Sequence, residues 1–230
     1  SAPIHATISG KVTSIEKLVM TDGKSVDAVV ITSDGENAVS PEVQPPEIHS
    51  REDFVKAIRE SGLVGLGGGG FPTHVKVNPP KPVDTLLINA AECEPFITSD
   101  HRLMLENTEY IIKGDVAIMK HLGLKKGHIG VEENKPDAIE KIRKGIADMG
   151  HSGDIEVNVL RARYPQGAER VMIYEITGKT LRAGMLPADV GVILSNVTTI
   201  AFLVQYLETG RRPPTTSVTA NGTAVHDTTI

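Results

Sequence analysis

The chain has 230 residues, a formal net charge of −5 at pH 7 and one cysteine, Cys93. The negative charge and the lack of a basic run exclude a general nucleic-acid binder, and a single thiol excludes both an internal disulfide framework and an iron–sulfur cluster held by this chain alone. No apolar stretch approaches the roughly 20 residues needed to cross a bilayer, and no signal peptide is visible.

The first 46 residues have the pattern of β structure. β-Branched stretches over 6–15 and 27–32 predict two strands, and the Thr-Asp-Gly sequence at 21–23 between them is typical of a turn. Prolines then recur over 40–46, which predicts a connector between domains. We therefore expect a first, β-rich domain over residues 1–46.

From residue 50 onward, helical and strand patterns alternate. Ser50 is expected to cap the first helix and Gly62 to end it. The predicted helices cover 51–61, 99–122, 136–149, 167–177 and 196–209. The predicted strands cover 84–89, 128–131 and 155–159, and a further strand is expected over 217–222, after a boundary at Pro213 and Pro214. The β-α-β-α-β order predicts an α/β fold, a parallel sheet with right-handed crossovers covered by helices.

A glycine-rich loop covers Gly65–Thr73, with the sequence GLGGGGFPT. It satisfies the G-x-G-x-x-G pattern of dinucleotide-binding folds, but that motif needs a strand before it and a helix after it. Here a predicted helix precedes the loop and Phe71-Pro72 follows the glycines. Five glycines in six positions still allow backbone N–H groups to approach a flat or phosphorylated ligand closely. The alternative is a flexible surface loop.

Three further polar loops lie beside predicted strands and helices. Asn89–Pro95 (NAAECEP) follows the first strand of the sheet, Tyr164–Glu169 (YPQGAE) follows the third, and Asn196–Thr199 begins the last helix. Ligands of open α/β sheets bind at the carboxyl ends of strands, and free N–H groups at a helix start can hold a phosphate. Lys76 is another candidate partner for a phosphate. The alternatives are solvated polar loops, an ordinary Asn helix cap at Asn196 and a solvated lysine.

Four segments together resemble one family. They are Gly65–Lys76, Asn89–Pro95, Tyr164–Glu169 and Ser195–Thr199. In this order they are similar to the flavin-binding subunit of respiratory complex I, and still more to the C subunit of the Rnf complex, an ion-translocating ferredoxin:NAD oxidoreductase. The N-terminal stretch 1–15 resembles the barrel-sandwich segment that precedes this domain in the Rnf protein. The resemblance implies a partial β barrel-sandwich segment over 1–46, a three-layer Rossmann-like FMN/NADH-binding domain with a parallel sheet over 47–212, and the start of a truncated β-grasp domain over 213–230.

The resemblance also implies FMN in the site, with NADH stacked against the flavin. The residues it implies for FMN are Gly65, Gly67, Gly68, Lys76, Asn89, Glu92, Gly167 and Asn196. Those it implies for the nicotinamide nucleotide are Phe71, Glu94 and Glu169. No acid–base catalytic residue is expected, because hydride transfer is the chemistry of the cofactor. No metal site is expected either, because the spacing of Cys93, Asp100 and His101 matches no usual zinc pattern.

By the same resemblance, the chain is expected to work with the other subunits of a membrane-bound Rnf-type complex, and indirectly with ferredoxin. It would lie peripherally on the cytoplasmic side of the bacterial cell membrane, with no transmembrane segment of its own. Clusters of the 4Fe-4S type are expected only in the full-length subunit, outside this chain, which has a single cysteine.

Two positions depart from the family pattern. Complex I carries acidic residues where this chain has Ala91 and Ala168. Their loss would alter the hydrogen bonding and potential of a flavin, which leaves open a non-catalytic docking module that has lost its flavin. The related cobalamin reductase of bacterial microcompartments is another alternative, although the N-terminal β segment favours the Rnf protein.

Overall fold

A computed structural model of the protein describes residues 2–212, 217–220 and 222–223. The chain divides into two compact units, one over Ile4–Gln44 and the other containing the described residues from Pro45 onward. The division falls within the proline-rich stretch of the sequence, where a connector is expected.

The Ile4–Gln44 unit is built on one β-hairpin. Strand β1 covers Gly10–Val19 and strand β2 covers Ser25–Ser33, and the two pair in antiparallel register from Gly10 opposite Ser33 to Val19 opposite Ser25. Gly23 in the turn has a φ of 79°, which favours glycine because it has no Cβ. Both predicted strands are therefore confirmed, although β1 begins and ends later than its pattern indicates.

The second unit contains a four-stranded parallel sheet with helices around it. Its strands are β3 Thr85–Ala90, β4 Lys126–Glu132, β5 Ile155–Leu160 and β6 Val192–Asn196. Its helices are α1 Arg51–Glu60, α2 Thr73–Lys76, α3 Ser99–Glu106, α4 Thr108–Leu122, α5 Pro136–Asp148, α6 Glu169–Thr177 and α7 Val197–Thr209, with a 3₁₀ turn over Pro187–Val190. Ser50 caps α1 as expected, since its Oγ accepts a hydrogen bond from the N–H of Asp53 at 3.0 Å.

Apolar residues cover both faces of this sheet. On β3, Leu86 and Ile88 pack into a large cluster with residues of α1, α3, α4, α5 and α7, whereas Leu87 packs into a smaller cluster with Met172 and Ile173 of α6. This alternation follows from the two-residue period of a strand. The result is a helix–sheet–helix arrangement, which confirms the expected three-layer α/β fold.

The strand order of the sheet is β5-β4-β3-β6. The chain moves outward from β3 through β4 to β5 and then returns to place β6 on the other side of β3. The direction of winding thus reverses between β3 and β6, and in open α/β sheets the crevice at such a reversal is the usual place for a ligand.

Strand β6 is absent from the sequence-based prediction. Its five residues run directly into α7 without an intervening turn. A short apolar run of this kind does not distinguish a strand from the first turn of a helix.

Two sequence-based predictions are wrong. The single helix expected over 99–122 is interrupted at Asn107, whose φ of −124° and ψ of 31° end α3 and begin α4. Asparagine has a low helix propensity, although the Asn107 side chain makes no capping hydrogen bond to α4. The strand expected over 217–222 is not formed by the described residues of that stretch; instead the Oγ1 of Thr219 accepts a hydrogen bond from the N–H of Thr98 at 3.0 Å.

The predicted domain over 213–230 lies largely outside the described residues, as do Pro213 and Pro214, and its assignment stays a prediction. The helices that the structure describes include none with the length and apolarity needed to cross a membrane.

Candidate functional site

The candidate site lies where β3 and β6 end side by side. Asn89 of β3 and Asn196 of β6 are register partners in the parallel ladder. The glycine loop reaches the same place, because the N–H of Leu66 donates to Oγ1 of Thr199 in the first turn of α7 at 2.9 Å. The crevice created by the strand order and the glycine loop found in the sequence therefore coincide.

The glycine loop is closed by its own backbone. The N–H of Gly65 donates to the carbonyl of Phe71 at 2.8 Å, and the N–H of Gly70 donates to the carbonyl of Gly65 at 3.1 Å. Gly68 has a φ of +99°, a conformation that L side chains rarely adopt. Within the described part of the chain, the three consecutive N–H groups over 67–69 have no hydrogen-bond acceptor. Successive free N–H groups on a glycine-rich turn are suited to bind an anionic group.

Asn196 supports this loop and caps α7. A Cβ atom on Gly67 would lie 3.0 Å from Cβ of Asn196, a tight contact that a glycine avoids. The Asn196 Oδ1 accepts from the N–H groups of Thr198 at 3.0 Å and Thr199 at 3.3 Å. The helix-cap interpretation of Asn196 is therefore confirmed, and these two N–H groups are not free as a phosphate site at this helix start would require.

Asn89 joins the two loops that follow β3 and β5. Its Nδ2 donates to the carbonyl of Gly167 at 2.8 Å, and its Oδ1 accepts from the N–H of Ala91 at 3.1 Å. The N–H of Gly167 donates to Sγ of Cys93 at 3.3 Å, and a Cβ on Gly167 would lie 2.7 Å from the carbonyl oxygen of Ala91. The two loops thus converge as expected, and their contact requires a glycine at position 167.

Glu92 caps α3 from outside the helix. Its carboxylate accepts from the N–H of Asp100 at 2.7 Å, the N–H of His101 at 3.1 Å and the hydroxyl of Ser99 at 3.3 Å. A carboxylate at a helix N-terminus is stabilised by the unpaired N–H groups there and by the helix dipole. The side chain of Glu92 therefore positions α3 beside the crevice.

Asp100 is a site residue that the sequence pattern indicated only as a possible metal ligand. Its Oδ2 accepts from Nδ2 of Asn196 at 2.8 Å, and its Oδ1 accepts from the hydroxyl of Thr198 at 2.5 Å. The available signal was an acidic residue in the first turn of a helix that follows a strand-end loop. That signal predicts a helix-stabilising charge, but it does not identify a partner 96 positions away.

Lys76 brings a positive charge to the end of β6. Its Nζ donates to the carbonyl of Leu194 at 3.2 Å and lies 3.7 Å from Oε1 of Glu169 at the start of α6. By contrast, Phe71 is 47% exposed and Glu94 is exposed, and among the described residues no hydrogen bond or ion pair joins Phe71, Glu94 and Glu169 to one another. The structure connects Lys76 with Glu169 but leaves the two other residues expected at the nucleotide facing solvent.

The three residues considered as metal ligands have separate partners. Cys93 accepts from Gly167, Asp100 accepts from Asn196, and His101 Nε2 lies 2.9 Å from Oδ1 of Asp137. The hydrogen bond with His101 lowers the pKa of the Asp137 carboxyl below its usual value. Across the described ranges, no three His, Cys, Asp or Glu side chains form a group that could hold a metal ion.

Comparisons with known proteins agree with this geometry. A model of the Nuo51 FMN-binding domain matches residues 58–205, and a model of the RnfC barrel sandwich hybrid domain matches residues 1–36. The chain belongs to the Nuo51 FMN-binding domain family. The family model covers the glycine loop, the parallel sheet and most of α7.

Curated relatives confirm the resemblance to the C subunit of the Rnf complex. The chain is 44% identical over 215 residues to the C subunit of the Na⁺-translocating ferredoxin:NAD⁺ oxidoreductase complex of Acetobacterium woodii, covering 91% of this chain and 48% of the relative. It is 40% identical over 216 residues to the C subunit of the proton-translocating complex of Clostridium ljungdahlii, covering 91% and 46%. The chain therefore spans less than half the length of these relatives.

Solved structures show the same fold. An NAD⁺-reducing [NiFe]-hydrogenase matches in its air-oxidized state with a TM-score of 0.64 and 21% identity, covering 71% of this chain and 31% of the other. Its H₂-reduced state matches with a TM-score of 0.61 and 22% identity, covering 71% and 32%. At this level of identity, the likeness concerns the fold alone.

Ala91 and Ala168, the two positions expected to depart from the complex I pattern, have different surroundings. Ala91 is buried and packs in the smaller core cluster with Leu160 and Met172. A carboxylate at this position would lose hydration, which is costly without a partner. Ala168 is exposed at the start of α6, where an acidic side chain would remain in contact with solvent.

The residues at the crevice fit a phosphorylated flavin. Among the described residues, no atom beyond the adjoining backbone lies within 4 Å of the Cβ positions of Gly68, Gly69 and Gly70, so there is open space beside the unpaired N–H groups. Gln166 is 1% exposed, and its Nε2 has no partner among the residues described, while its Oε1 accepts from Arg163 at 2.9 Å. Open space next to free backbone donors can accept a flat ring with a polar edge or a phosphate.

Proposed function

We propose that this chain binds FMN between the ends of β3 and β6 and exchanges electrons between NAD(H) and that flavin, as a module of an ion-translocating ferredoxin:NAD oxidoreductase. The observation that carries the proposal is the position of the glycine loop. It rests on the first turn of α7, at the point where the strand order reverses, and the N–H groups over 67–69 have no acceptor in the described ranges of the chain. Membership of the Nuo51 FMN-binding domain family supports the choice of flavin.

In this proposal the backbone makes most of the flavin contacts. Gly67 and Gly68 bring N–H groups to the ring or phosphate, with open space at Gly68, and Gly65 closes the loop through its hydrogen bond to Phe71. Lys76 adds positive charge. The remaining residues implied by the resemblance are Asn89, Glu92, Gly167 and Asn196. The side chains of the two asparagines and of Glu92 hold the surrounding loops and helices together, and their hydrogen bonds within the protein give them this positioning role.

The nucleotide would approach from the exposed side of the loop. Phe71 offers an exposed ring for stacking, and the carboxylates of Glu94 and Glu169 can accept hydrogen bonds from ribose or carboxamide groups. Bound FMN would supply the hydride and electron chemistry, while the protein supplies position and electrostatics. The charge of Lys76 is already partly balanced by Glu169, so a nucleotide that engages Glu169 would also change the surroundings of Lys76.

As a module, the chain would act within a larger subunit. The relatives are named as subunits of translocating complexes, so we propose other Rnf-type subunits as its partners, ferredoxin as an indirect partner, and a peripheral position on the cytoplasmic side of the membrane. The match of residues 1–36 to the RnfC barrel sandwich hybrid domain favours this assignment over a cobalamin reductase.

The alternative of a docking module that has lost its flavin is supported by one observation. The side chains of Asn89, Glu92, Asn196 and Asp100 all find partners within the protein, so no ligand is needed to satisfy them. Such a module would keep its partners in the complex but would not take up FMN.

The proposal is tested by reconstitution. The purified chain is incubated with excess FMN, separated from free flavin by gel filtration, and examined by absorbance and flavin fluorescence. We expect co-eluting, quenched flavin whose absorbance at the flavin bands is bleached by NADH under anaerobic conditions. A chain that elutes colourless, with the fluorescence of the added FMN unquenched, would rule out the flavoprotein assignment and leave the docking module.

The nucleotide assignment is tested by Phe71→Ala. Loss of a stacking ring is expected to weaken NADH binding roughly tenfold, since base–aromatic stacking contributes about 1–3 kcal/mol. FMN binding is expected to change much less. Tyr174→Ala is the control, because Tyr174 is an exposed aromatic residue on α6. Equal losses of FMN and NADH binding in Phe71→Ala would contradict the role assigned to this ring.

A further inference from the structure

The carboxylate of Asp100 connects two helices at the crevice. Asp100 lies in the first turn of α3, and both of its oxygens accept hydrogen bonds from the start of α7: Oδ2 from Nδ2 of Asn196 at 2.8 Å, and Oδ1 from the hydroxyl of Thr198 at 2.5 Å. All three side chains are partly buried in this contact. Hydrogen bonds to an ionised group are the stronger kind, and partial burial strengthens them further.

The backbone of Asp100 is held by Glu92, in the loop that follows β3. The carboxylate of Glu92 accepts from the backbone N–H of Asp100 at 2.7 Å, and the backbone carbonyl of Glu92 accepts from Nζ of Lys135 at 3.4 Å. Asp100 therefore does not belong to a freely moving helix end. Its backbone is fixed by the loop that follows β3, and its side chain transmits that position to α7.

The contact decides how the Asn196 amide is oriented. With Nδ2 directed to Asp100, Oδ1 faces the N–H groups of Thr198 and Thr199 and caps α7. The capped turn presents Oγ1 of Thr199 to the N–H of Leu66, and the side chain of Asn196 lies beside Gly67, 3.0 Å from where a Cβ on that residue would stand. A continuous set of contacts thus runs from Asp100 through the first turn of α7 to the glycine loop.

We propose that Asp100 is a positioning residue of the flavin site, which sets the position of the glycine loop by fixing the Asn196 amide and the first turn of α7. The inference rests on the proposed function only where it concerns flavin. A carboxylate accepts from both groups at once because it has two acceptor oxygens and no donor. An amide would either face Nδ2 of Asn196 with an N–H group or require the hydroxyl of Thr198 to turn and accept. The negative charge of Asp100 also complements the N-terminal dipole of α7.

The first test uses the protein without flavin. In Asp100→Asn, the backbone N–H of Leu66 is expected to exchange with solvent roughly tenfold faster in NMR hydrogen-exchange measurements, because charged hydrogen bonds of this kind contribute more than the free energy of a tenfold ratio. Asp137→Asn is the matched control, since Asp137 is also an aspartate in the first turn of a helix, α5, with a side-chain partner outside the glycine loop. Unchanged exchange of Leu66 in Asp100→Asn, or the same increase in Asp137→Asn, would overturn the proposal.

The second test uses flavin. Asp100→Asn is expected to raise the dissociation constant of FMN roughly tenfold and to shift the midpoint potential of the bound flavin to a more positive value, because a nearby negative charge is removed. A residue that only stabilised α3 would leave the potential of the bound flavin unchanged. Failure of the wild-type chain to bind FMN would contradict the proposed function, whereas the Leu66 exchange experiment would still decide the positioning role.

Thr198→Val provides a milder variant if Asp100→Asn does not fold. It removes one donor to the Asp100 carboxylate and leaves the contact with Asn196 in place. We expect faster exchange of the Leu66 N–H, by a smaller factor than in Asp100→Asn. Exchange of Leu66 at the wild-type rate in a folded Thr198→Val protein would contradict the route through the first turn of α7.

Discussion

At the carboxyl edge of the parallel sheet, buried and partly buried charges have partners, whereas near the start of β4 a buried carboxyl group has none. Lys135 and Glu132 form an ion pair of 2.8 Å with side chains 8% and 2% exposed, at the end of β4. Asp115 of α4 is completely buried, and neither of its oxygens has a hydrogen-bond partner among the described residues.

The difference shows how each region keeps a polar group inside the protein. At the carboxyl edge, Lys135 and Glu132 are buried as a pair. Lys135 also donates to the carbonyl of Glu92, so the pair helps to hold the loop that follows β3. Asp115 packs against Gly127, where a Cβ would lie 2.4 Å from its Oδ1, and burial raises the pKa of its carboxyl to about 8. Burial therefore favours the neutral form of Asp115 at pH 7.

Among the substitutions, the largest loss of unfolding free energy is expected from breaking the ion pair between Lys135 and Glu132. Lys135→Met leaves Glu132 as a buried, unpaired carboxylate, and should lower the free energy of unfolding by about 3–5 kcal/mol in urea titrations. Lys144→Met is the control, because its ion pair with Asp148 is exposed and should contribute only about 0–1 kcal/mol. Similar losses in the two variants would mean that the carboxyl edge does not depend on charge pairing.

Asp115 should give an effect that grows with pH and is smaller, for each pH unit, than the loss from breaking the ion pair. Its folded-state pKa of about 8 lies above the usual aspartate value of 3.8, so its contribution to stability is complete below pH 3.8 and is lost as the pH rises through 8. In this window the wild type should lose about 1.4 kcal/mol of unfolding free energy per pH unit relative to Asp115→Asn, which cannot ionise. Urea titrations of both proteins at several pH values within this window measure the difference. Parallel stability profiles would show that Asp115 is ionised in the folded state.

Substitutions in the glycine loop should change the unfolding free energy least. Gly67→Ala places a Cβ 3.0 Å from Cβ of Asn196, so either this side chain or the loop must move slightly, and we expect a loss of about 1 kcal/mol in unfolding free energy. At Gly69 no other described residue beyond its two chain neighbours lies within 4 Å of the added Cβ, so Gly69→Ala should be neutral or slightly stabilising. Thermal unfolding of the two flavin-free variants tests the contact directly, and an equal response would refute a specific contact between Gly67 and Asn196.

Local sequence patterns were sufficient for much of the fold and for the loops of the site. Helical spacing, the Ser50 cap and the apolar run of β3 depend on neighbouring residues, so they could be predicted from short windows. The glycine loop and the polar loops that follow β3 and β5 are also recognisable from neighbouring residues alone. Asn196 was found as a candidate, but its position alone left both a ligand contact and a helix cap open.

Other features depended on residues distant in sequence. Strand β6 becomes recognisable through its pairing with β3, and this pairing creates the reversal of strand order at which the site lies. The cap that Glu92 provides for α3 and the connection from Asp100 to α7 require the folded chain, because many carboxylates could occupy such positions in sequence.

The amino-acid sequence by itself thus determined the alternation of helices and strands, the α/β class and the residue types at the crevice, since these follow from local periodicity and turn chemistry. Only the tertiary structure decided which strands are neighbours and which polar groups find partners. The physical reason is that a hydrogen bond between Asp100 and Asn196, like the burial of Asp115, depends on packing among segments that are far apart along the chain.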